Sequence, residues 1–412
     1  MGDDHGSDDP VTEALAGVHR RLGTLDDGEV AAYIPELARA DRAGFGLALV
    51  SMDGHRYAAG DAGVPFTLQS VSKPFVYALA LAELGLDEVS RWVGAEPSGE
   101  AFNAISLEED TGRPSNAMVN AGAIATTALV PGATPAERFE RVLACLSAFA
   151  GRRLDVDEAV HASEAATGDR NRALGYLMRG AGSLACDPLL ATDLYFRQCA
   201  VRATAADLAV MAATLGNGGV NPVTGELVVS GEVAVQVLSV MATCGMYDAS
   251  GEWLLRVGLP AKSGVSGGLI AVSPARFGVA CWSPPLDVTG NPVRGAAALR
   301  ELSERFGLHL MRNPAPGTPT LDVDGTRGAV VARGALDFTA AERVLSALRE
   351  RTAAPAGPLV LDLTRVTVLD AMAEALLRAT LDRLAARGRP VTVVGPAAER
   401  LTGRHTVRPV DG

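Results

Sequence analysis

A serine and a lysine one helical turn apart are the residues of this sequence best suited to covalent catalysis. They lie in the segment 69–74 (QSVSKP), where Pro74 predicts the first turn of a helix because proline is tolerated there but not deeper inside. Ser70 would then lie at a helix N-terminus, whose free N–H groups stabilise an oxyanion, with Lys73 on the same face. An unprotonated Lys73 would accept the proton of the serine. Only two of the 37 basic residues are lysines, and arginine cannot act as a base, so a retained lysine indicates a titrating role.

The second lysine lies in the segment 261–268 (AKSGVSGG), just before two apolar, β-prone runs. A Lys-Ser/Thr-Gly triplet on a strand edge borders the active site of the penicillin-recognising serine hydrolases, which also carry Ser-x-x-Lys. Glycines around Val265 would let its backbone N–H approach a reacting carbonyl group. We therefore expect Val265 and Ser70 to form an oxyanion hole, with Lys262 beside them.

Tyr247 is the predicted partner of the lysines in proton transfer. It lies in a glycine-bounded turn, 244–251 (CGMYDASG), and beside two lysines its phenol could ionise and take a proton. The alternative is an aromatic side chain that packs in a loop. None of the six histidines has accompanying serine and aspartate motifs, so a Ser-His-Asp triad is disfavoured.

The elements that must position these residues form an α+β arrangement. Short strands at 44–50 and 56–58 and β-prone runs at 269–274 and 277–282 enclose a helical block. The apolar spacing predicts helices over 11–28, 30–39, 75–88, 134–149, 203–216 and 231–243. This order predicts a sheet built from both ends of the first three hundred residues, with helices inserted between.

Beyond a proline-rich linker at 311–320, the pattern changes to strict alternation of strands and helices. Strands are predicted at 328–333, 358–363 and 390–395, and helices at 338–351 and 371–387. Alternation of this length indicates a small α/β domain at 321–412 whose sheet is at least partly parallel.

The composition limits the classes of function. A chain of 412 residues with 48% hydrophobic residues is expected to fold into two or three domains. Its net charge of -11 argues against nucleic acid as the main partner. The five cysteines show no Cys-x-x-Cys spacing, so neither a metal site nor a disulfide framework is predicted. Together with the lack of a signal peptide or an apolar membrane span, this indicates a cytoplasmic protein.

Nine segments of the sequence resemble the serine-dependent glutaminases, a family with the β-lactamase/penicillin-binding-like fold. The resemblance covers about residues 11–310, the expected catalytic domain, with a mostly antiparallel sheet and a helical subdomain. Its segments are 33–38 (YIPELA), 69–74 (QSVSKP), 96–99 (EPSG), 118–124 (MVNAGAI), 164–171 (EAATGDRN), 193–196 (DLYF), 244–248 (CGMYD), 259–265 (LPAKSGV) and 281–287 (CWSPPLD).

The resemblance implies hydrolysis of L-glutamine to L-glutamate and ammonia through an acyl-enzyme on Ser70, without a cofactor. Lys73 and Tyr247 match the proton relay, and Val265 with Ser70 matches the oxyanion hole. The implied substrate-binding positions are Tyr33, Gln69, Asn120, Glu164, Asn171 and Tyr195. A carboxylate suits the substrate ammonium, whereas amides and hydroxyls suit its carboxylate. The family also implies a homo-oligomer.

The C-terminal region resembles the STAS domain of sulfate transporters and anti-sigma-factor antagonists. The resemblance rests on segments 358–363 (PLVLDL) and 366–370 (VTVLD) before a predicted helix. Ala371 occupies the place where antagonist members carry a phosphorylatable serine, so no phosphorylation switch is expected there. An unknown protein or ligand partner of this domain is expected instead.

Two other functions stay open at this point. One is a β-lactam-hydrolysing or penicillin-binding enzyme of the same fold. The other is a regulatory interaction protein in which the STAS-like region dominates and the front domain is a retired enzyme, against which the presence of Ser70, Lys73, Tyr247 and Lys262 argues.

Overall fold

The computed structural model describes residues 9–99, 107–312, 320–324, 329–352 and 359–401. Contacts divide the chain into two units, one of Leu15–Glu301 and one of Leu302–Gly412 with Met1–Ala14. The predicted boundaries at 310 and 320 lie close to this division and stay predictions. Most of the predicted linker, residues 313–319, lies outside the described residues. No helix in the described part of the chain is long and apolar enough to cross a membrane.

The larger unit is built on a five-stranded antiparallel sheet whose neighbouring strands are, in order, Arg56–Gly60, Gly46–Ser51, Phe277–Trp282, Gly268–Ser273 and Ala261–Ser263. Its strands come from the two ends of the unit, as the sequence predicts. They are β2 (Gly46–Ser51), β3 (Arg56–Gly60), β7 (Ala261–Ser263), β8 (Gly268–Ser273) and β9 (Phe277–Trp282). The short strands of two separate small sheets are β1 (Glu29–Val30), β4 (Phe66–Thr67), β5 (Asp155–Val156), β6 (Val201–Ala203) and β10 (Pro285–Leu286).

Most helices of this unit come between the two groups of sheet strands along the chain. The helices of the unit are α1 (Pro10–Leu22), α2 (Pro35–Ala38), α3 (Lys73–Leu84), α4 (Leu86–Val89), α5 (Asn120–Ala128), α6 (Pro135–Ala150), α7 (Glu158–Thr167), α8 (Asp169–Gly180), α9 (Pro188–Cys199), α10 (Ala205–Gly216), α11 (Gly231–Cys244), α12 (Ser250–Arg256) and α13 (Val293–Phe306). Helix α10 is apolar on almost all sides and lies buried against β2, β8 and β9. The core forms around α10, which packs on the sheet and on α6 and α11, while α3 packs on α6 and α11.

One predicted helix of this unit is wrong, and two end earlier than expected. The segment 30–39 forms only the single turn α2, because Val30 pairs with Pro285 in a two-stranded sheet. The helix predicted over 11–28 ends at Leu22. The helix predicted over 75–88 is interrupted at Gly85, whose φ of 78° does not continue a helix.

The smaller unit confirms the predicted mixed α/β architecture. Its four-stranded sheet has the order β11-β12-β13-β14, in which β12, β13 and β14 are parallel and β11 is antiparallel. Its elements are β11 (Thr320–Asp324), β12 (Ala329–Leu336), α14 (Phe338–Thr352), β13 (Leu359–Leu369), α15 (Ala371–Ala386) and β14 (Val391–Val394). Asp370 caps α15, since its carboxylate accepts a hydrogen bond from the N–H of Ala373 at 2.7 Å.

Candidate active site

Ser70 lies in a single turn of 3₁₀ helix, Gln69–Ser72, that leads directly into α3. Pro74 occupies the first turn of α3, as predicted, because it needs no N–H partner there. Gln69 has a φ of 50°, which places its backbone in the left-handed region that residues other than glycine rarely adopt. Ser70 is 6% exposed, so it lies at the base of the site and not on the open surface.

Lys73 is buried one turn after Ser70, and its charge is poorly solvated. Its Nζ donates a hydrogen bond to Oδ1 of Asn120 at 2.7 Å. Burial is the main cause that lowers the pKa of Lys73 to about 8; Tyr247 opposes the shift and Lys262 adds to it. A substantial fraction of Lys73 is therefore neutral at mildly alkaline pH, which is the form that can accept a proton.

Three polar residues from different helices are joined by hydrogen bonds, and one of them, Asn120, also bonds the Nζ of Lys73. Asn120 begins α5, Asn171 lies in α8 and Tyr195 lies in α9. The hydroxyl of Tyr195 donates to Oδ1 of Asn120 at 3.3 Å, and Nδ2 of Asn120 donates to Oδ1 of Asn171 at 3.1 Å. Asn120 thus orients its oxygen towards Lys73 and its nitrogen towards Asn171.

A second cluster joins Tyr33, Gln69 and Glu164. The hydroxyl of Tyr33 lies 2.8 Å from Oε1 of Glu164, to which it donates, and 3.2 Å from Oε1 of Gln69. Glu164 is buried, and this burial raises the pKa of its carboxyl although hydrogen bonds from Tyr33 and Gln69 oppose the shift. A carboxylate in this setting gains from a cationic partner, because its own charge is incompletely solvated.

Tyr247 and Lys262 face each other beside the Ser70 turn. The Nζ of Lys262 lies 4.0 Å from the centroid of the Tyr247 ring and donates to the carbonyl oxygen of Ser263 at 2.7 Å. The hydroxyl of Tyr247 donates to the same carbonyl at 3.3 Å. Lys262 is fully buried, and this burial places its pKa well below the usual range of a lysine.

The loop that carries Tyr247 is held against the sheet by an unusual backbone. Tyr247 has a φ of 58°, and its carbonyl oxygen accepts a hydrogen bond from Oγ of Ser250 at 2.8 Å. Gly245 is required two residues earlier, since a Cβ atom there would lie 1.8 Å from the carbonyl oxygen of Ala261. This close approach brings the Tyr247 loop onto β7, which carries Lys262.

The loop that carries Val265 passes beside the turn that carries Ser70. A Cβ atom on Gly264 would lie 2.9 Å from the carbonyl oxygen of Leu68 and 3.3 Å from the backbone nitrogen of Val71. The side chain of Val265 is partly buried and packs against a small apolar cluster that includes Ile34. The backbone of this loop therefore reaches the same region as Ser70, which the glycine makes possible.

Asn291 is a buried residue behind the site that the sequence analysis did not single out. Its Oδ1 accepts a hydrogen bond from Oγ of Ser263 at 2.6 Å, and Ser263 in turn presents its carbonyl oxygen to Tyr247 and Lys262. Asn291 lies in a loop after β10, 28 positions after Ser263 in the sequence. No local motif signals its contact with the site.

The assembled site has the parts needed for acyl transfer to a hydroxyl group. It offers a buried serine, a lysine with a lowered pKa, a phenol beside a second lysine, and separate carboxylate and amide groups around them. Among the described residues, no group of His, Cys, Asp and Glu side chains is arranged to hold a metal ion.

Two stretches of the chain match models of known protein families. Residues 28–311 match the glutaminase family model. The chain belongs to the glutaminase family. Residues 319–401 match the STAS domain model, so the chain carries a C-terminal STAS domain, and the resemblances stated from the sequence are confirmed in both regions.

Individual relatives of this family differ in how much of the chain they share. A Bradyrhizobium diazoefficiens glutaminase 2 is 53% identical over 306 residues, which are 74% of this chain but 49% of that protein. The chain thus spans about half the length of the Bradyrhizobium relatives it matches. A Corynebacterium efficiens glutaminase is 43% identical over 392 residues, covering 94% of this chain and 92% of the relative.

A solved structure described as Mglu in its glutamate form matches both units of the chain. It is 41% identical with a TM-score of 0.73, and the match covers 93% of this chain and 98% of that structure. The match confirms the predicted fold class, an α+β glutaminase domain followed by an α/β STAS domain.

Proposed function

We propose that this chain hydrolyses the side-chain amide of L-glutamine to L-glutamate and ammonia, through an acyl-enzyme on Ser70. The observation that carries the proposal is the buried Lys73, one turn after Ser70, whose pKa is lowered to about 8. The family and the relatives named glutaminase support the reaction. The residue roles are inferred from the geometry.

Acylation begins when Oγ of Ser70 attacks the side-chain carbonyl carbon of glutamine. The serine proton passes to neutral Lys73, with Tyr247 as the second proton carrier. The N–H groups of Ser70 and Val265 stabilise the resulting oxyanion. Collapse of the tetrahedral intermediate breaks the C–N bond, and the departing nitrogen takes a proton and leaves as ammonia.

Deacylation reverses the proton path with water in place of serine. Water attacks the ester carbonyl and gives up its proton to Lys73 or Tyr247, and Ser70 regains a proton as glutamate leaves. Lys262 is buried against the ring of Tyr247, and its interaction with Lys73 helps to lower the pKa of that lysine. Its proposed role is to tune Lys73, not to transfer the proton itself.

Substrate recognition divides between the two polar clusters. Glu164, oriented by Tyr33 and Gln69, binds the α-ammonium of glutamine. The amides of Asn120 and Asn171 and the hydroxyl of Tyr195 provide donors for its α-carboxylate. The description of the related Mglu structure in its glutamate form agrees with an amino acid ligand.

We also propose a cytoplasmic location and a homo-oligomer. All five cysteines are free in the structure, which suits a reducing compartment. The STAS domain is proposed to bind an unknown protein or small-molecule partner. Gel filtration with light scattering would test the oligomer directly.

Ammonia release from glutamine, measured for Ser70→Ala beside the unchanged protein, tests the proposed reaction. We expect the variant to lose activity by at least about a thousandfold while keeping its melting temperature, since the hydroxyl forms the covalent bond. Ser239→Ala is the matched control, because that serine lies on the exposed side of α11. Full activity in Ser70→Ala would overturn the nucleophile, and turnover of nitrocefin without glutamine would favour the β-lactam alternative.

A further inference from the structure

Two layers of hydrogen bonds behind the nucleophile join the Ser70 turn and the first residue of α3 to α5 and α9. The layer nearest the substrate side consists of Lys73, Asn120 and Tyr195. A second layer connects the Ser70 turn, α5 and α9 through Ser72, Thr127 and Gln198. On α9, Gln198 follows Tyr195 by three residues, so both side chains share one face of the helix.

The second layer is fully enclosed by protein. Ser72, Thr127 and Gln198 each have an exposed fraction of 0%. Nε2 of Gln198 donates to Oγ of Ser72 at 2.9 Å, and the Thr127 hydroxyl lies 2.8 Å from Oε1 of Gln198. Polar groups buried in this way are costly unless each is bonded, so a connected network specifies one arrangement of its helices.

The network ends on the backbone of Gln69, immediately before the nucleophile. Oγ of Ser72 donates to the carbonyl oxygen of Gln69 at 2.7 Å. Gln69 is the residue whose φ of 50° lies in the left-handed region. A non-glycine residue keeps such a conformation only when its surroundings determine it. The bond from Ser72 restrains the carbonyl group of this residue, and Gln198 restrains Ser72.

We propose that Gln198 is a positioning residue, which acts through Ser72 to hold Gln69 in its left-handed conformation and thereby sets the position of Ser70. This inference rests on the proposed function, because its effect is measured as glutamine hydrolysis. Among the described residues, the hydrogen bonds of the Gln198 side chain go to Ser72 and Thr127 and not to the proposed substrate-binding groups. It determines where the Oγ and the N–H of Ser70 lie relative to Lys73.

The main test is Gln198→Met, which keeps the length of the side chain and removes its hydrogen bonds. We expect kcat to fall at least about tenfold, because a small displacement of a nucleophile has a large kinetic cost. KM should change less than kcat, since Gln69 is only one of the groups that orient Glu164, and the bonds from Tyr33 to Glu164 and from Tyr195 to Asn120 remain. Ser72→Ala should have the same effect, and the double variant should be no worse than either single one, because both changes break one chain of bonds.

Substitutions at two buried threonines distinguish a positioning role of Gln198 from an effect on stability alone. Thr127 and Thr214 are both fully buried, and each bonds the carbonyl four residues earlier, at 2.8 and 2.9 Å. Only Thr127 also reaches Gln198. Thr127→Val and Thr214→Val should lower the melting temperature similarly, but only Thr127→Val should lower kcat.

The outcomes distinguish this inference from the proposed function. No ammonia release by the unchanged protein would refute the proposed function itself. An active parent with an unaltered kcat in Gln198→Met, or with equal kcat losses in Thr127→Val and Thr214→Val, would overturn the positioning role. If Gln198→Met does not fold, Ser72→Ala, which removes a single oxygen atom, takes its place. An unaltered kcat in Ser72→Ala would then overturn the positioning role.

Discussion

The Nζ of Lys262 lies 4.0 Å from the centre of the Tyr247 ring, and both side chains bond the carbonyl oxygen of Ser263. Lys262 therefore contacts the phenol ring of Tyr247, whereas Lys73 is hydrogen-bonded to Asn120. Both lysines are buried, and the charge of Lys262 acts on Lys73. The two motifs found 189 positions apart in the sequence thus form one electrostatic unit.

The activity should rise with pH through the titration of Lys73. Because the pKa of Lys73 is lowered to about 8, kcat/KM should increase towards pH 8 and level off above it, as the neutral base becomes the main form. Lys73→Arg should lower kcat/KM at least about a hundredfold, because arginine keeps the positive charge but cannot lose its proton. Near-normal turnover in this variant would show that Lys73 serves only as a cation, and Arg91→Lys, an exposed exchange of the same kind, is the control.

Stability should respond to the same titration. Lys73 has a lower pKa when folded, about 8, than its ordinary value of 10.5. The unfolded chain therefore binds more protons than the folded chain between these pH values. The contribution of Lys73 should make the free energy of unfolding increase as the pH rises across this window. Urea unfolding of the parent and Lys73→Met at several pH values measures it, since the variant lacks this contribution. A difference between them that does not change with pH would contradict the lowered pKa.

Lys262→Met should move the pH profile to higher pH. The positive charge of Lys262 lowers the pKa of Lys73, so its removal should raise that pKa and shift the rising limb of kcat/KM in the alkaline direction. The melting temperature should not fall greatly, because methionine fills a similar buried volume without a charge. An unshifted profile would mean that Lys262 carries no charge in the working enzyme.

Glu164→Gln should weaken glutamine binding more than it slows the chemical step. We expect KM to rise about tenfold or more, since the variant loses a charged partner for the α-ammonium. kcat should fall much less, because the carboxylate is proposed to contact the ammonium and not the reacting amide. Steady-state kinetics of ammonia release measure both constants, and Glu83→Gln, which alters a surface ion pair with Arg141, is the control. A loss confined to kcat would contradict the assigned contact.

Asp370→Ala should destabilise the STAS domain without altering glutamine hydrolysis. The carboxylate caps α15 through the N–H of Ala373, and loss of such a cap costs about 1 kcal/mol. Asp370→Asn should restore most of this stability, because an amide oxygen also caps. Calorimetry of the full chain, read beside the ammonia assay, follows both properties. A fall in kcat for Asp370→Ala but not Asp370→Asn would instead link the capped helix to catalysis.

The sequence predicted the sheet better than the helices that carry the proposed substrate-binding groups. Strands β2, β8 and β9 and helices α6, α10 and α11 were recognisable because their apolar periodicity is uniform. Helices α5, α7, α8 and α9 were not predicted. In α5 and α9 the polar residues that serve the site, such as Asn120 and Gln198, interrupt the apolar pattern.

The sequence by itself determined the family, the fold class and the candidate residues, because the short motifs around both lysines keep their order and spacing along the chain. The tertiary structure decided which of these residues meet. Only the folded chain places Asn120 on Lys73, Glu164 on Tyr33 and Gln198 behind Ser72. It also lowers the pKa of Lys73, because desolvation depends on what surrounds a side chain in space, and local sequence does not contain that information.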